Sequence, residues 1–373
     1  MTQLPGNSQQ PDAIDPTPAA PDSEAPGTVV IRERKKQRKK KRKKGSKRYV
    51  PTAVKVIVGI VVALALVAGG VFLFLNYNIK KGDEQLHAPD VQDTARTVSY
   101  NGHRYEYNDN VVAIMVMGKD DETTYGTDHS CTDANMLVTL DTETKAMNVV
   151  AIPRDSMVEV DLYDNGEYTR TGLYQLAVAY GVDVPTEDLS AKNTLKSVSK
   201  LLYNLPVERY FVMEMDAVSR LSTAVGGVQV VALDAYPGAP FEAGDTVLLQ
   251  GDNALRYVRY RDIEVEGSAQ ARQERQMQFV KAFLDEVRQT DVTNVLNLYN
   301  TVQDTTFTNL DMSEITYLAS LFIDGRGASI EYTTLHGETK VELDDDGVER
   351  EHIYLDEDSV MNAALKVFYT QVD

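Results

Sequence analysis

Apolar runs of strand length recur along the chain from about residue 106 and are separated by segments with helical spacing. The strand-like runs are VVAIMVM (111–117), NMLVTL (135–140), MNVVAI (147–152), YFVMEM (210–215) and GVQVVAL (227–233). Apolar runs of this length are typical of β-strands. The pattern predicts an α/β domain over 106–330, in which a mixed central β-sheet is flanked by helices.

Helical periodicity is clearest in four segments. The first starts at Asp188, the second is the long SAQARQERQMQFVKAFLDEVRQ stretch from Ser268, and the last two lie near 292–301 and 312–323. Near the C-terminus, TKVELDDDGVEREHIYL predicts a β-hairpin that turns at Asp346 and Gly347. We therefore assign 331–373 to a hairpin-bearing extension that packs on the domain.

The longest apolar run, AVKVIVGIVVALALVAGGVFLFL (53–75), contains one charged residue, Lys55. As a helix with a rise of about 1.5 Å per residue it spans roughly 34 Å, and a hydrocarbon core is about 30 Å thick. A cleaved signal peptide has a shorter apolar core followed by a small-residue cleavage site. The run therefore predicts a single uncleaved transmembrane helix, followed by a polar extracytoplasmic stalk at 76–105.

Charge is distributed unevenly along the 373 residues, whose formal net charge is −18. Residues 1–55 carry 14 Lys and Arg against 5 Asp and Glu, a net of +9, so the remainder carries −27. Thirteen of these basic residues lie in 32–48, immediately before the apolar run. The composition predicts that 1–52 form a disordered, basic tail. The positive-inside rule then places this tail in the cytoplasm and 76–373 outside the membrane. Beside a membrane helix the basic run is a topology signal, so no nucleic-acid partner is predicted.

Cysteine and histidine give no sign of a metalloenzyme. The single cysteine, Cys131, excludes an intrachain disulfide and a multi-cysteine metal site. The five histidines show no H-x-x-x-H spacing of the zinc-protease kind.

An acidic chain gathers five arginines within residues 254–276, ALRYVRYRDIEVEGSAQARQERQ. In an extended YVRYR, Arg259 and Arg261 would share one face of a strand, and on the following helix Arg272 and Gln276 share one face. The two pairs could hold a phosphate ligand from two sides, because guanidinium groups donate bidentately and remain charged. The alternative is that the helix arginines are solvated and pair with neighbouring glutamates.

Three loops beside the first strand-like runs carry acidic residues. Asp120 follows the first run, Asp133 precedes the second, and Arg154 and Asp155 follow the third. Two carboxylates from neighbouring loops could share a hard divalent cation, and magnesium held in this way usually also binds substrate phosphate. Taken alone, each aspartate is more commonly an N-cap or turn residue.

These segments occur in a specific order: MGKD, CTDANML, IPRDS, AVGGVQV, LQGDNALRYVRYR and RQERQ. The chain resembles the LytR–CpsA–Psr family of Gram-positive cell-envelope proteins. The resemblance rests on a short cytoplasmic tail and one membrane span, followed by the motifs I-P-R-D, V-G-G-V, A-L-x-Y-V-R-x-R and R-x-x-R-Q. The resemblance runs from about Val111 to Val287, roughly half of the chain.

The resemblance implies a Mg²⁺-dependent phosphotransferase that moves a glycopolymer, of teichoic acid or capsule-like type, from a polyprenyl-pyrophosphate carrier to peptidoglycan outside the membrane. The metal ligands that it implies are Asp120 and Asp133. The pyrophosphate-binding residues that it implies are Arg154, Arg259, Arg261, Arg272 and Gln276. Arg154 and Asp155 are the implied catalytic residues, with Asp155 as a general base or as a residue that orients an arginine, while Arg275 supports its neighbours. The lipid tail would occupy a hydrophobic pocket of the α/β domain.

The sequence departs from the family pattern in three places. Cys131 stands where R-S-D usually begins, LYQLAV (173–178) stands in place of K-I-N-x-A-Y, and Ala269 replaces a usual acidic residue. Two cations are thereby lost, for one of which Arg170 could substitute. These losses leave a second function open, a non-catalytic envelope scaffold or regulator that binds polyprenyl phosphate.

Overall fold

The structure is a computed structural model that describes residues 52–86, 89, 91–120, 131–262, 265, 267–344 and 347–373. Side chains are described from Ile60 onward, without that of Asp120. The chain divides into two compact units, Met1–Ile60 and Val61–Asp373. Of the first unit, the structure describes only the helical backbone from Thr52, so the predicted disordered tail lies outside the described residues except for its last position.

The described chain contains ten α-helices and fifteen β-strands. The helices are α1 Thr52–Gln85, α2 Asp93–Arg96, α3 Leu176–Tyr180, α4 Glu187–Leu201, α5 Ala217–Ala224, α6 Asp252–Arg259, α7 Ser268–Val287, α8 Val292–Val302, α9 Met312–Asp324 and α10 Glu357–Phe368. The strands are β1 Thr97–Tyr100, β2 His103–Tyr107, β3 Val111–Asp120, β4 Cys131–Asp141, β5 Met147–Ala151, β6 Met157–Asp164, β7 Glu167–Gln175, β8 Arg209–Glu214, β9 Val228–Val231, β10 Thr246–Leu249, β11 Thr306–Thr308, β12 Ile330–Thr334, β13 Gly337–Leu343, β14 Glu349–Leu355 and β15 Tyr369–Gln371.

A mixed six-stranded sheet forms the centre of the domain, with the strand order β11-β8-β3-β4-β5-β12. β3 runs parallel to β8, and β5 runs parallel to β12, whereas β4 is antiparallel to both of its neighbours. All five of the strand-like runs found in the sequence form strands, four of them in this sheet. The prediction of a mixed central sheet is confirmed.

Both faces of the sheet are covered, which explains why its strands have continuous apolar runs rather than an alternating pattern. On one face, Met115 and Leu137 pack in a core with α3, α4 and α10. On the other face, Val112 and Met136 pack in a core that includes Tyr317 of α9. Adjacent residues of one strand therefore belong to different cores.

Helix α1 provides the one stretch among the described residues that is long and apolar enough to cross a membrane, Ile60–Gln85. Its C-terminal part packs on the domain: Leu86, just beyond the helix, is buried in a core, and Lys81 Nζ lies 3.2 Å from Oδ2 of Asp311. A Cβ atom at Gly82 would lie 2.6 Å from Cβ of Tyr317. The sequence was expected to form a polar stalk at 76–105, but the structure continues α1 to Gln85 and forms β1 and β2 in this range.

The C-terminal residues are part of the domain rather than an added extension. β12 is an edge strand of the central sheet, α10 contributes Val360 and Ala364 to a core, and β15 pairs with β2. The predicted hairpin is present as antiparallel β13 and β14. Gly347 has a φ of +82° in the turn between them, while Asp346 lies outside the described residues. The boundary expected at residue 330 is therefore not a domain boundary in the structure.

Candidate functional site

A polar cavity of about 440 Å³ opens beside one end of the central sheet. Five parts of the described chain line it: the start of β4, the end of β5 with the loop after it, the N-terminal half of α7, the end of β12 with the turn after it, and the β13–β14 hairpin. The predicted site residues among its lining are Asp133, Arg154, Asp155, Arg272 and Gln276. Segments that are far apart in the sequence therefore meet at one cavity.

Asp133 is held between two guanidinium groups. Its Oδ1 accepts a short hydrogen bond from Arg154, and its Oδ2 lies 3.1 Å from Nη1 of Arg272. The Asp133 side chain is 14% exposed, so this bridge between β4 and α7 forms in a largely water-excluded place. Because charge pairs are stronger where water is excluded, the three side chains form a tightly held cluster.

Asp155 orients Arg154 from the other side. The Nε atom of Arg154 lies 3.4 Å from Oδ1 of Asp155, which also accepts a hydrogen bond of 3.1 Å from Gln175. Gln175 donates a second hydrogen bond of 2.8 Å to the main-chain oxygen of Glu351 on β14. The buried amide of Gln175 thus connects the arginine cluster to the hairpin.

Arg272 is a buried cation in cationic surroundings. Burial and the positive charges of Arg154 and Arg261 lower the pKa of Arg272 to about 10. The guanidinium remains protonated at neutral pH, but its surroundings oppose its charge. An anionic ligand with several oxygen atoms would relieve this opposition, because it pairs with several guanidinium groups at once.

The expected extended conformation of YVRYR is wrong. Residues up to Arg259 form α6, with Ala254, Tyr257 and Val258 buried on one face. These positions have the i, i+3, i+4 spacing of an amphipathic helix, and this spacing was the available signal. Arg259 and Arg261 consequently do not share a strand face.

The two arginines of this segment have different surroundings. Arg261 donates from Nε to Oγ of Ser268 at 3.2 Å and pairs through Nη2 with Oε2 of Glu351 at 3.2 Å. Arg259 is half-buried at the end of α6 and is not among the described lining residues of the polar cavity. The structure therefore connects Arg261 to the site through Glu351 and leaves Arg259 beside it.

Arg275 holds the segment that carries these arginines. Its guanidinium donates to the main-chain oxygens of Tyr257 and Tyr260, and it lies 2.5 Å from Oδ2 of Asp234. The Arg275 side chain is almost completely buried. Its contacts fix the end of α6 against α7, which is the supporting position indicated by the sequence.

An apolar cavity of about 310 Å³ adjoins the polar one. Side chains from β3, β4, β5, β8, α5, α6 and α7 line it, among them Phe279 and Val280, together with Met215 from the turn after β8. Gln276 lines both cavities, together with Ala134 and Met136. Gln276 also donates a hydrogen bond of 3.3 Å to the main-chain oxygen of Val258. A ligand that passes this residue would have its polar end among the guanidinium groups and its apolar end between the sheet and the helices.

The predicted metal ligands lie on paired strands. In the register of β3 and β4, Asp120 is opposite Cys131, two residues from Asp133. The Asp120 side chain lies outside the described residues. Among those that are described, no group of three or more Asp, Glu, His or Cys side chains is arranged to hold a metal. Magnesium commonly binds through one or two carboxylates together with substrate phosphates, so a cation at this place would need oxygen atoms from the substrate as well.

The sequence positions that depart from the family pattern do not disrupt the cavity. Cys131 is buried; burial raises the pKa of its thiol, and the charges of Arg154 and Arg350 partly oppose this change. Arg350 on β14 thus acts electrostatically on Cys131, while its Nη1 atom forms an ion pair with Oδ2 of Asp344 at 2.6 Å. Leu173 is exposed on β7, and Arg170 donates to Tyr174 Oη rather than lining the cavity.

Two residues of the site were missed by the sequence analysis. Gln175 stands at the asparagine position of the K-I-N-x-A-Y pattern, so its own amide was the available signal. Glu351 gave no signal, because β14 reaches the cavity only through the folding of the C-terminal hairpin.

Comparison with known proteins fixes the family. The LytR_cpsA_psr family model matches residues 72–364, more than three quarters of the chain. The chain belongs to the LytR–CpsA–Psr family. The matched region includes β12 to β14 and most of α10, which extends the family domain well beyond Val287, where the motif resemblance ended.

Curated relatives of this family member are named as transferases. The polyisoprenyl-teichoic acid–peptidoglycan teichoic acid transferase TagU of Oceanobacillus iheyensis is 26% identical over 287 residues, covering 75% of this chain and 84% of the relative. The corresponding transferase TagT of Bacillus subtilis is 26% identical over 273 residues, covering 70% of this chain and 77% of the relative.

Solved structures confirm the fold. TagV of Bacillus subtilis matches with a TM-score of 0.54 at 21% identity, covering 69% of this chain and 95% of that one. The protein gbs0355 of Streptococcus agalactiae matches with a TM-score of 0.55 at 22% identity, covering 69% and 86% of the two chains. At these identities the likeness concerns the fold alone.

Proposed function

We propose that the protein is a membrane-anchored transferase that moves a glycopolymer from a polyprenyl-pyrophosphate carrier to peptidoglycan. The observation that supports it is the shared lining of a guanidinium-rich cavity and an apolar cavity at Gln276. A ligand that fits both has an anionic head and a long apolar chain. A polyprenyl pyrophosphate has this composition, and the glycopolymer and the acceptor are suggested by the names of the relatives.

The arginines bind and polarise the pyrophosphate. Arg154 and Arg272 exchange their contacts with Asp133 for phosphate oxygens, to which guanidinium groups donate bidentately. Arg261 approaches from the loop after α6. Positive charge held at the phosphates stabilises the negative charge that develops on the leaving polyprenyl phosphate. Gln276, at the boundary of the cavities, faces the phosphate that carries the lipid.

Asp155 acts in this proposal as the residue that orients Arg154. Its carboxylate is buried and contacts the Arg154 Nε atom and the Gln175 amide, so it holds the guanidinium plane in place. Arg259, which lies outside the described cavity lining, contributes longer-range positive charge.

Asp133 and Asp120 are the residues that would hold Mg²⁺. The ion, when bound, neutralises charge on phosphate oxygens and so assists displacement at phosphorus. Asp133 becomes available as a ligand when phosphate oxygens take its place beside the two arginines. Its carboxylate is an internal counter-ion of the two arginines and would hold the metal once phosphate oxygens replace it there.

The protein would be a single-pass cell-membrane protein with its N-terminus in the cytoplasm. The positive charge before the apolar part of α1 supports this orientation. In cells whose cell wall has been removed and whose membrane is intact, added protease should digest the region after residue 76 and leave the basic tail intact. Protection of the large domain would contradict the orientation and favour a cytoplasmic, nucleic-acid-binding role for the basic run.

A non-catalytic carrier-binding scaffold is the second candidate, and the loss of the arginine at position 131 favours it. Full-length protein in detergent, supplied with a labelled polyprenyl-pyrophosphate glycopolymer and peptidoglycan, separates the two functions. A transferase converts the lipid to polyprenyl monophosphate and transfers the label to peptidoglycan. A scaffold retains the lipid and leaves the label on it.

A further inference from the structure

The β13–β14 hairpin forms one wall of the polar cavity, and this wall is firmly attached. The side chains that face the cavity are those of Thr339, Val341, Glu351 and Ile353, together with Gly337. The main-chain N–H of Ile353 donates to the oxygen of Asp155 at 2.9 Å, and Ile353 forms a parallel bridge with Ser156. The hairpin is therefore held by main-chain hydrogen bonds next to the arginine-orienting residue.

The hairpin lines the polar cavity but not the apolar cavity in which we place the lipid. Among the described residues that line the apolar cavity, none comes from β13 or β14. In phosphoryl transfer the attacking and leaving oxygens are roughly in line with phosphorus. Because the leaving group carries the lipid toward the apolar cavity, we expect the attacking hydroxyl to approach from a wall that does not border that cavity, and the hairpin is such a wall. A general base for this hydroxyl should therefore lie on or near the hairpin.

Three described carboxylates line the polar cavity, and they differ in their contacts. Asp133 contacts two arginines and is 14% exposed, while Asp155 contacts Arg154 and the Gln175 amide and is 7% exposed. Glu351 is 18% exposed and forms an ion pair with Arg261. Glu351 is thus the most accessible of the three carboxylates and lies on the side from which the acceptor approaches.

We propose that Glu351 is the general base of the reaction, a catalytic residue that accepts the proton of the acceptor hydroxyl. The inference rests on the proposed transferase function and deepens it. The acceptor is a hydroxyl-bearing saccharide that lies against the inner face of the β13–β14 hairpin. The ion pair with Arg261 connects this role to donor binding, because pyrophosphate oxygens compete with Glu351 for the same guanidinium group.

The step is a displacement at the phosphorus that carries the glycopolymer. The acceptor oxygen forms a bond to this phosphorus, and its proton passes to the Glu351 carboxylate. The bond from phosphorus to the bridging pyrophosphate oxygen breaks, and its electron pair leaves with polyprenyl monophosphate. The products are a phosphodiester between glycopolymer and acceptor, polyprenyl monophosphate, and a protonated Glu351 that returns its proton to water.

The test is Glu351→Gln in the full-length protein, with separate measurement of donor affinity and turnover. Glutamine can still accept the hydrogen bond of Arg261 but is not a base. We expect turnover to fall about 100-fold or more, in the range of general-base catalysis. Donor affinity should be unchanged or higher, because Arg261 loses a competing negative charge. Glu349→Gln is the matched control, since Glu349 is exposed two residues away on the same strand and is absent from the cavity lining.

Other results would overturn the proposal. Turnover within threefold of the wild type would show that Glu351 is only a counter-ion of Arg261, and a parallel loss of donor affinity and turnover would show a structural role. If Glu351→Gln does not fold, the test uses Glu351→Ala with and without added formate. Turnover restored by formate would support Glu351 as the general base, and no restoration would contradict it. A wild-type protein that transfers nothing to any saccharide would instead contradict the proposed function itself.

Discussion

Asp133 on β4 and Arg272 on α7, 139 residues apart in the sequence, form an ion pair with Oδ2 and Nη1 3.1 Å apart. The pair joins the start of β4 to α7 in the lining of the polar cavity. It also places a carboxylate where we expect a phosphate oxygen to lie. The buried guanidinium charge of Arg272 is thus balanced by an aspartate of the same chain, and several of the following predictions depend on its exchange for phosphate.

Replacing Arg272 by Gln should weaken binding of a polyprenyl pyrophosphate about tenfold or more. A charge-assisted hydrogen bond contributes roughly 1.5–3 kcal/mol, and about 1.4 kcal/mol corresponds to a factor of ten. Calorimetric titration with a short-chain donor measures the change, and Arg256→Gln is the control because Arg256 is exposed on α6. Equal, small effects at both positions would mean that Arg272 serves only as the structural ion-pair partner of Asp133.

The guanidinium group of Arg272 should make the affinity for the donor depend on pH. The pKa of Arg272 is lowered to about 10 by burial and by Arg154 and Arg261. A guanidinium binds an anion only while it is protonated, so its contribution to donor affinity is present below this pKa and is lost as the pH rises through about 10. We expect the wild type to lose affinity there more steeply than Arg272→Gln. Parallel curves for the two proteins would contradict this assignment.

Replacing Asp133 by Asn should abolish the additional thermal stabilisation that Mg²⁺ gives in the presence of pyrophosphate. A ligand that binds only the folded state raises the melting temperature, and this increment disappears when its binding site is lost. Differential scanning fluorimetry with pyrophosphate, with and without Mg²⁺, measures the increment. Glu143→Gln, at an exposed position in the turn after β4, is the control. A full magnesium effect in Asp133→Asn would place the metal elsewhere.

Filling the apolar cavity should separate lipid binding from phosphate binding. Val280→Trp on α7 adds a large ring to the cavity lining, whereas Glu286→Trp adds the same ring at an exposed position of that helix. We expect Val280→Trp to lower affinity for a long-chain polyprenyl pyrophosphate by tenfold or more and to leave inorganic pyrophosphate binding within about threefold. Unchanged affinity for the long-chain ligand would exclude this cavity as the lipid site.

The docking of α1 on α9 should be sensitive to one methyl group. At Gly82 a Cβ would lie 2.6 Å from Cβ of Tyr317, whereas at Gly70 nothing lies within 4 Å. Overpacking of this kind costs about 1–3 kcal/mol. We expect Gly82→Ala to lower the free energy of unfolding by that amount in detergent and Gly70→Ala to leave it nearly unchanged. Equal stability of the two variants would mean that α1 does not dock on α9.

The sequence predicted those parts of the fold that depend on the spacing of apolar residues within one strand or helix. Apolar runs such as 147–152 become strands because both faces of the sheet are covered, and the spacing from Ser268 becomes α7. The conformation of YVRYR was predicted wrongly because the prediction used the spacing of its two arginines. It did not use the helical spacing of the apolar residues Ala254, Tyr257 and Val258. Local spacing also could not reveal that β12 pairs with β5, since this contact joins residues about 180 positions apart.

The sequence predicted the residues of the candidate site that belong to family motifs. Asp133, Arg154, Asp155, Arg272 and Gln276 line the same cavity. The hairpin contribution was not predictable, since Glu351 belongs to no motif and reaches the cavity through tertiary pairing. The losses at positions 131 and 173 were judged from residue type alone, whereas in the structure Arg350 acts electrostatically on the first and the second is an exposed surface position.

The most direct test of the central claim is a structure of the full-length protein with a polyprenyl pyrophosphate bound. We expect density for the two phosphates among Arg154, Arg261 and Arg272, with Asp133 displaced from at least one guanidinium. The lipid chain should pass Gln276 into the apolar cavity. Phosphate density outside the polar cavity, or a lipid chain that leaves the apolar cavity empty, would contradict the assignment of this site.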